Sequence, residues 1–227
     1  MSKRSRATRA TLAAVAAVLS CAAPAAATTN VATPAVAVDP HQVYVLGDSY
    51  TFDMQGARYS AGRTLQEAFA ARGWTAVVSG RGGRAIGGTP TPNALTQAAT
   101  DRAKIAASST VVIELGTNIT PDGAYFPSRI PTLLAQLRSY QPKIRVWWVV
   151  PANAVTSTGY QSTLARNREA ILALPGVAKI RWDRAAVPAF FSAADGFKHP
   201  RVDGADADTR ADGYDALKTL IVAAVTG

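Results

Sequence analysis

Short apolar runs alternate with longer stretches of helical period along most of this chain. Val43-Tyr44-Val45-Leu46 is a β-favouring run and predicts a strand over 42–47. Similar runs over 74–78, 110–115, 145–150 and 177–182 predict four more strands. Between the first two, Leu65, Ala68, Phe69 and Ala71 recur at helical spacing, and Gly73 closes that helix. Further helices are predicted over 93–107, over 128–139 before Pro142, and over 161–174 before Pro175-Gly176. Thr209 is placed to cap a last helix whose apolar face is Tyr214, Leu217, Leu220, Ile221 and Val225. Strand and helix alternate throughout, and each strand is a continuous apolar run. That pattern specifies an α/β protein: a three-layer α/β/α domain on a five-stranded parallel sheet covered on both faces.

The N-terminus does not share this pattern. Lys3, Arg4, Arg6 and Arg9 precede an alanine-rich apolar run from Ala10 to Ala23, and Ala25-Ala26-Ala27 supplies small residues at a cleavage site. This is the pattern of a secretory signal peptide cleaved after Ala27, and the apolar run is short of the ~20 residues a membrane span needs. Cys21, the only cysteine, lies in this leader. Val18-Leu19-Ser20-Cys21 is a poor lipoprotein site because leucine precedes the serine. The mature chain therefore carries no thiol or disulfide chemistry. Thr28 to Pro40 is rich in Ala, Thr, Val and Pro without periodicity, which predicts a flexible tether. The expected organisation is signal peptide 1–27, tether 28–41 and one α/β domain 42–227, secreted as a monomer with no membrane span in the mature chain.

The net charge of +9 drops to +5 once the four leader cations are removed. No basic run with interleaved aromatics remains, which argues against a nucleic-acid partner. Gly80-x-Gly82-x-x-Ala85 with Asp101 downstream matches a dinucleotide fingerprint, but it follows the second strand and Gly87-Gly88 and two prolines delay the helix. No His/Asp/Glu set has metal-ligand spacing. Neither a cofactor nor a metal is expected.

Three strands end in small or polar residues: Gly47-Asp48-Ser49, Gly82-Gly83 and Gly116-Thr117-Asn118. In a parallel sheet these ends share one edge, where ligands gather. A serine there can supply a nucleophile. A glycine N–H and an asparagine side-chain N–H can hold an oxyanion. A polar loop before the last helix carries Asp195, His199, Asp203 and Asp206, the material of a general base and its orienter. Asp48 reads as a residue that shapes the turn, and Arg81 and Arg84 as solvated loop residues or holders of an acidic or glycan substrate.

This constellation resembles the SGNH hydrolases, the GDSL-like lipase/esterase family, from the first strand to the last helix. The resemblance implies a flavodoxin-like SGNH fold, Ser49 as nucleophile, and Ser49, Gly83 and Asn118 as oxyanion donors. Gly83-Arg84 and the Trp147-Trp148-Val149-Val150-Pro151 strand look most like secreted O-acetyltransferase and acetylesterase domains acting on cell-wall glycans. The family's fourth block, Asp-x-x-His, is altered. Asp195-Gly196-Phe197-Lys198-His199 has the histidine with one residue too many; Asp203-Gly204-Ala205-Asp206 has the spacing with aspartate in histidine's place. His199 is the chemically suited base, with Asp195 or Asp203 orienting it. Asp206 as a carboxylate base, or a site without a base, stays open. The expected function is a secreted serine esterase or acyl transferase acting on an ester of a small acyl group, on a small molecule or a cell-wall glycan. The alternative is an impaired module of the same fold that binds acylated glycan without turnover.

Overall fold

The computed structural model describes residues 36–55, 64–88, 92–118, 125–152, 158–186 and 213–227. Five strands, β1 (Asp39–Gly47), β2 (Thr75–Gly80), β3 (Ser108–Glu114), β4 (Arg145–Val149) and β5 (Ala178–Ile180), form one sheet in the order β2-β1-β3-β4-β5. Every pairing is parallel. The order reverses between β1 and β3, and in open α/β sheets the crevice at such a switch point is where ligands bind.

Eight helices are described: α1 (Ser49–Gln55), α2 (Leu65–Ala70), α3 (Ala94–Thr100), α4 (Arg102–Ala107), α5 (Tyr125–Tyr140), α6 (Thr158–Leu172), α7 (Trp182–Ala185) and α8 (Gly213–Thr226). Alternation along β1 sends its side chains to two cores. Tyr44 and Leu46 pack with residues of α3, α4, α5 and α6 on one face. Val43 and Val45 pack with α1, α2, α7 and α8 on the other. The result is three layers, as the apolar pattern specifies. Tyr214, Leu217, Ile221 and Val225 are buried on α8, the face read from the sequence. None of the described helices is long and apolar enough to cross a membrane.

The structure differs from the sequence reading in three places. β1 starts at Asp39 rather than at Gln42, because Asp39 pairs with Ser108 across an irregularity that ends at Val43. His41 therefore sits within β1, its ring edge-on to Trp74 at 5.5 Å, at the end of the strand away from Ser49. The helix expected over 93–107 is two, meeting at Asp101. There the side chain turns inward to accept from Tyr44 Oη at 2.7 Å and Lys104 Nζ at 2.7 Å. The sequence reading also lacks α1, which begins on Ser49 itself. The Thr209 cap and the leader lie outside the described residues.

Candidate active site

The site is built on three strand ends held in register: Gly47 pairs with Gly80 on one side and with Glu114 on the other. The chain turns from β1 into α1 within one residue, and two glycines make this possible. A Cβ on Gly47 would lie 1.8 Å from Thr51 Oγ1, and one on Gly80 would lie 2.2 Å from the Phe52 nitrogen. The first turn of α1 thus rests directly on strand backbone, and Ser49 starts that turn half-buried.

Asp48 is the hub of the turn. It is fully buried, and its N–H donates to the Glu114 carbonyl at 3.1 Å. Its carboxylate accepts from the Tyr50 N–H at 3.1 Å, from Thr117 Oγ1 at 2.5 Å and from Asn118 Nδ2 at 2.9 Å. One side chain therefore ties the Ser49 turn to the segment after β3. A carboxylate can only accept, so this contact also orients the Asn118 amide with its nitrogen toward Asp48. The same nitrogen lies 3.4 Å from the Arg84 carbonyl.

The segment 115–118 is fixed from behind. Trp148 Nε1 donates to the Leu115 carbonyl at 2.9 Å, Asn167 Nδ2 to the Gly116 carbonyl at 3.0 Å, and Tyr160 Oη to the Thr117 carbonyl at 2.6 Å. Gly116 has φ 124°, and a Cβ there would press to 3.1 Å from the Phe126 ring. Three consecutive carbonyls are thus satisfied by side chains of β4 and α6, which locks the approach of Asn118.

The glycine-rich loop after β2 is pinned at its base. The Arg81 N–H reaches the Gly47 and Asp48 carbonyls at 3.3 and 3.2 Å, and the Arg84 N–H closes a turn onto the Arg81 carbonyl at 3.1 Å. Gly83 lies in that turn with φ 68°, exposed, and its N–H has no partner among the described residues. Arg84 is not the solvated or substrate-holding side chain expected from its loop position. It is 3% exposed and donates to the Gly47 carbonyl at 2.9 Å, to the Ser79 carbonyl and to Ser79 Oγ at 3.3 Å. It is an internal strut between the ends of β1 and β2. Arg81 is half-buried.

Glu114 lies beneath the turn, 2% exposed. Its Oε2 accepts from Thr51 Oγ1 at 3.1 Å and from the Thr51 N–H at 3.3 Å. Burial, and then the neighbouring Asp48 charge, push its carboxyl well above the usual carboxylate range. Asp101, the acid of the apparent dinucleotide fingerprint, is committed elsewhere. Burial raises it, but hydrogen bonds from Lys104, Tyr44 and Gln97 outweigh that and hold it below its ordinary value.

A small cavity of about 10 Å³ opens beside Asn118, lined by Arg84, Ala85, Ile86, Leu115 and Phe126. That is room for about one water-sized group. Ser49, Gly83 and Asn118 all lie at the C-terminal edge of the sheet, on the segments that follow β1, β2 and β3. Asp195, His199, Asp203 and Asp206 lie outside the described residues. Sequence reasoning missed Glu114, Thr117, Trp148, Tyr160 and Asn167. Only Glu114 leaves a signal there, as an acid inside the apolar run Val111-Val112-Ile113-Glu114-Leu115.

No protein-family model matches the chain, and a comparison with curated proteins finds no relative. Solved structures do match the fold. A GDSL-like lipase from Bacteroides thetaiotaomicron aligns with a TM-score of 0.55 at 20% identity, over 82% of this chain and 87% of that one. The catalytic domain of peptidoglycan O-acetyltransferase A from Streptococcus pneumoniae aligns with a TM-score of 0.54 at 16% identity, over 83% and 93%. A lipase from a goat rumen metagenome gives 0.55 at 12% identity, over 80% and 96%. The chain thus has the three-layer fold of the GDSL-like hydrolases.

Proposed function

We propose that this protein is a secreted serine esterase or acyl transferase that acts on an ester of a small acyl group. The observation that carries the reading is the Asp48 carboxylate, which binds Asn118 and the Tyr50 N–H together and so sets an amide donor beside the serine turn. In this reading Ser49 Oγ attacks the ester carbonyl carbon and gives its proton to His199, oriented by Asp195 or Asp203. The carbonyl oxygen becomes an oxyanion held by the N–H groups of Ser49 and Gly83 and by Asn118 Nδ2, each donor contributing about 10²–10³ in rate. Collapse breaks the bond to the leaving oxygen, which takes the proton from His199. Water or a sugar hydroxyl, deprotonated by the same base, then attacks the acyl-serine carbonyl and releases Ser49.

The cavity beside Asn118 has room for about one methyl-sized group, which supports a short acyl chain. The fold shared with a peptidoglycan O-acetyltransferase domain, together with the leader pattern, supports a glycan of the cell wall as the acyl partner. The second reading, a module that binds acylated glycan without turnover, is favoured by Asp206 at the family-spaced position. Hydrolysis of an activated acetate ester by the mature protein and by Ser49→Ala tests the choice. Serine-dependent turnover supports the enzyme; equal rates in both proteins refute it.

A further inference from the structure

We propose that Glu114 is a positioning residue of this site: its buried carboxyl group donates a hydrogen bond to the Asp48 carboxylate and so fixes Asp48 as the acceptor that aims the Asn118 amide. The catalytic consequence rests on the esterase reading above. The placement of the proton does not.

Glu114 ends β3 in register with Gly47, and its side chain reaches under the turn, where its Oε2 lies 3.4 Å from the Asp48 nitrogen. Both residues are buried, at 2% and 0% exposure. Two ionised carboxylates cannot share a hydrogen bond in such a place, so one of the pair carries a proton. The bond lengths say which. Asp48 accepts at 2.5 Å from Thr117, 2.9 Å from Asn118 and 3.1 Å from Tyr50. Glu114 accepts at 3.1 and 3.3 Å from Thr51 and at 3.4 Å from the Asp48 N–H. Shorter bonds mark the charged acceptor, which is Asp48.

The other charged and titratable groups agree. Arg84 is buried close enough to Asp48 to feel its charge: burial lowers the Arg84 pKa, and the Asp48 charge is among the groups that oppose this. Tyr214 of α8 is near enough to feel the Glu114 charge, and its own hydroxyl donates to Asp53. Among the described residues no cation bonds Glu114. Loss of its proton would set two negative charges against each other in a buried space, and Asp48 could then no longer hold Asn118 in place.

The test compares pH–rate profiles of the mature protein and of Glu114→Gln. Glutamine keeps an N–H for Asp48 and a carbonyl for Thr51, so kcat at neutral pH is expected within about threefold of the parent. The parent's loss of kcat at alkaline pH is expected to be absent or moved upward in the variant. Glu114→Leu removes the donor and is expected to lower kcat about 10²-fold, the scale of one lost oxyanion donor, with KM within about threefold. Superimposable profiles, or full kcat in Glu114→Leu, would overturn the proposal. Infrared spectroscopy asks the same question without activity: a protonated-acid C=O stretch at neutral pH, missing in Glu114→Gln, supports it, and no such band in the parent overturns it. A parent that cleaves no ester refutes the esterase reading, while the infrared band still decides where the proton lies.

Discussion

Adding one methyl group at Gly80 tests how directly the serine turn depends on strand backbone. A Cβ there meets the Phe52 nitrogen at 2.2 Å, Phe52 Cα at 2.4 Å and the Thr51 carbonyl carbon at 2.5 Å. All three are backbone atoms of α1, so no side chain can swing away. Ordinary contact begins near 3.4 Å, so α1 must retreat by about 1.2 Å from the end of β2. Overpacking of this kind costs about 1–3 kcal/mol. In a domain of this size, each kcal/mol lowers Tm by about 2–4 °C. Ser49 is the first residue of α1 and moves with it, and a misplacement of about 1 Å at a reacting group costs about 10²-fold in rate. Gly82 supplies the control two residues on. A Cβ there meets nothing within 4 Å, so Gly82→Ala is expected to stay within about 0.5 kcal/mol of the parent. Urea denaturation and kcat/KM on an acetate ester, measured for both variants, decide the matter. If Gly80→Ala is as stable and active as Gly82→Ala, α1 does not seat on β2 in the way described and the reasoning fails.

Other consequences are equally direct. Asn118→Ala is expected to lower kcat about 10²–10³-fold with KM little changed; steady-state kinetics across substrate concentration would reveal a mere binding effect as a rise in KM alone. Trp148→Phe leaves the buried Leu115 carbonyl without its donor and should cost about 1–3 kcal/mol in urea denaturation. Stability should also depend on pH through Glu114, whose carboxyl is raised in the folded protein. Its contribution is full below the unfolded-state pKa of about 4.3 and is lost as pH rises through the folded value, at up to about 1.4 kcal/mol per pH unit. Glu114→Gln should therefore gain stability relative to the parent as pH rises above about 4.3; an unchanged difference from acid to alkaline pH would count against it.

Much of the fold was legible because buried parallel strands are written as apolar runs. Val43-Tyr44-Val45-Leu46 and Val111-Val112-Ile113 are fully buried, and the helical period on α8 marks the face that packs. The Ser49-Tyr50-Thr51-Phe52 stretch was not legible as a helix, because α1 is held by contact with the ends of β1 and β2 rather than by an apolar period of its own. Asp101 did not read as a break, since its partner Tyr44 is 57 positions away. Arg84 reads as a surface residue by type, and only the carbonyls of Gly47 and Ser79 brought together by the sheet give it an interior role. That Ser49, Gly83 and Asn118 share one edge of the sheet was readable from small residues at strand ends. The side chains that brace the segment before Asn118, Trp148, Tyr160 and Asn167, come from β4 and α6 and carry no local pattern.

Covalent capture of Ser49 tests the central claim most directly. The protein would be treated with a serine-directed sulfonyl fluoride, and the adduct located by mass spectrometry of its peptides. The account predicts one adduct, on the peptide that carries Ser49, with ester turnover lost in step with labelling and no adduct in Ser49→Ala. Turnover that persists while Ser49 is fully modified, or labelling confined to another residue, would contradict it.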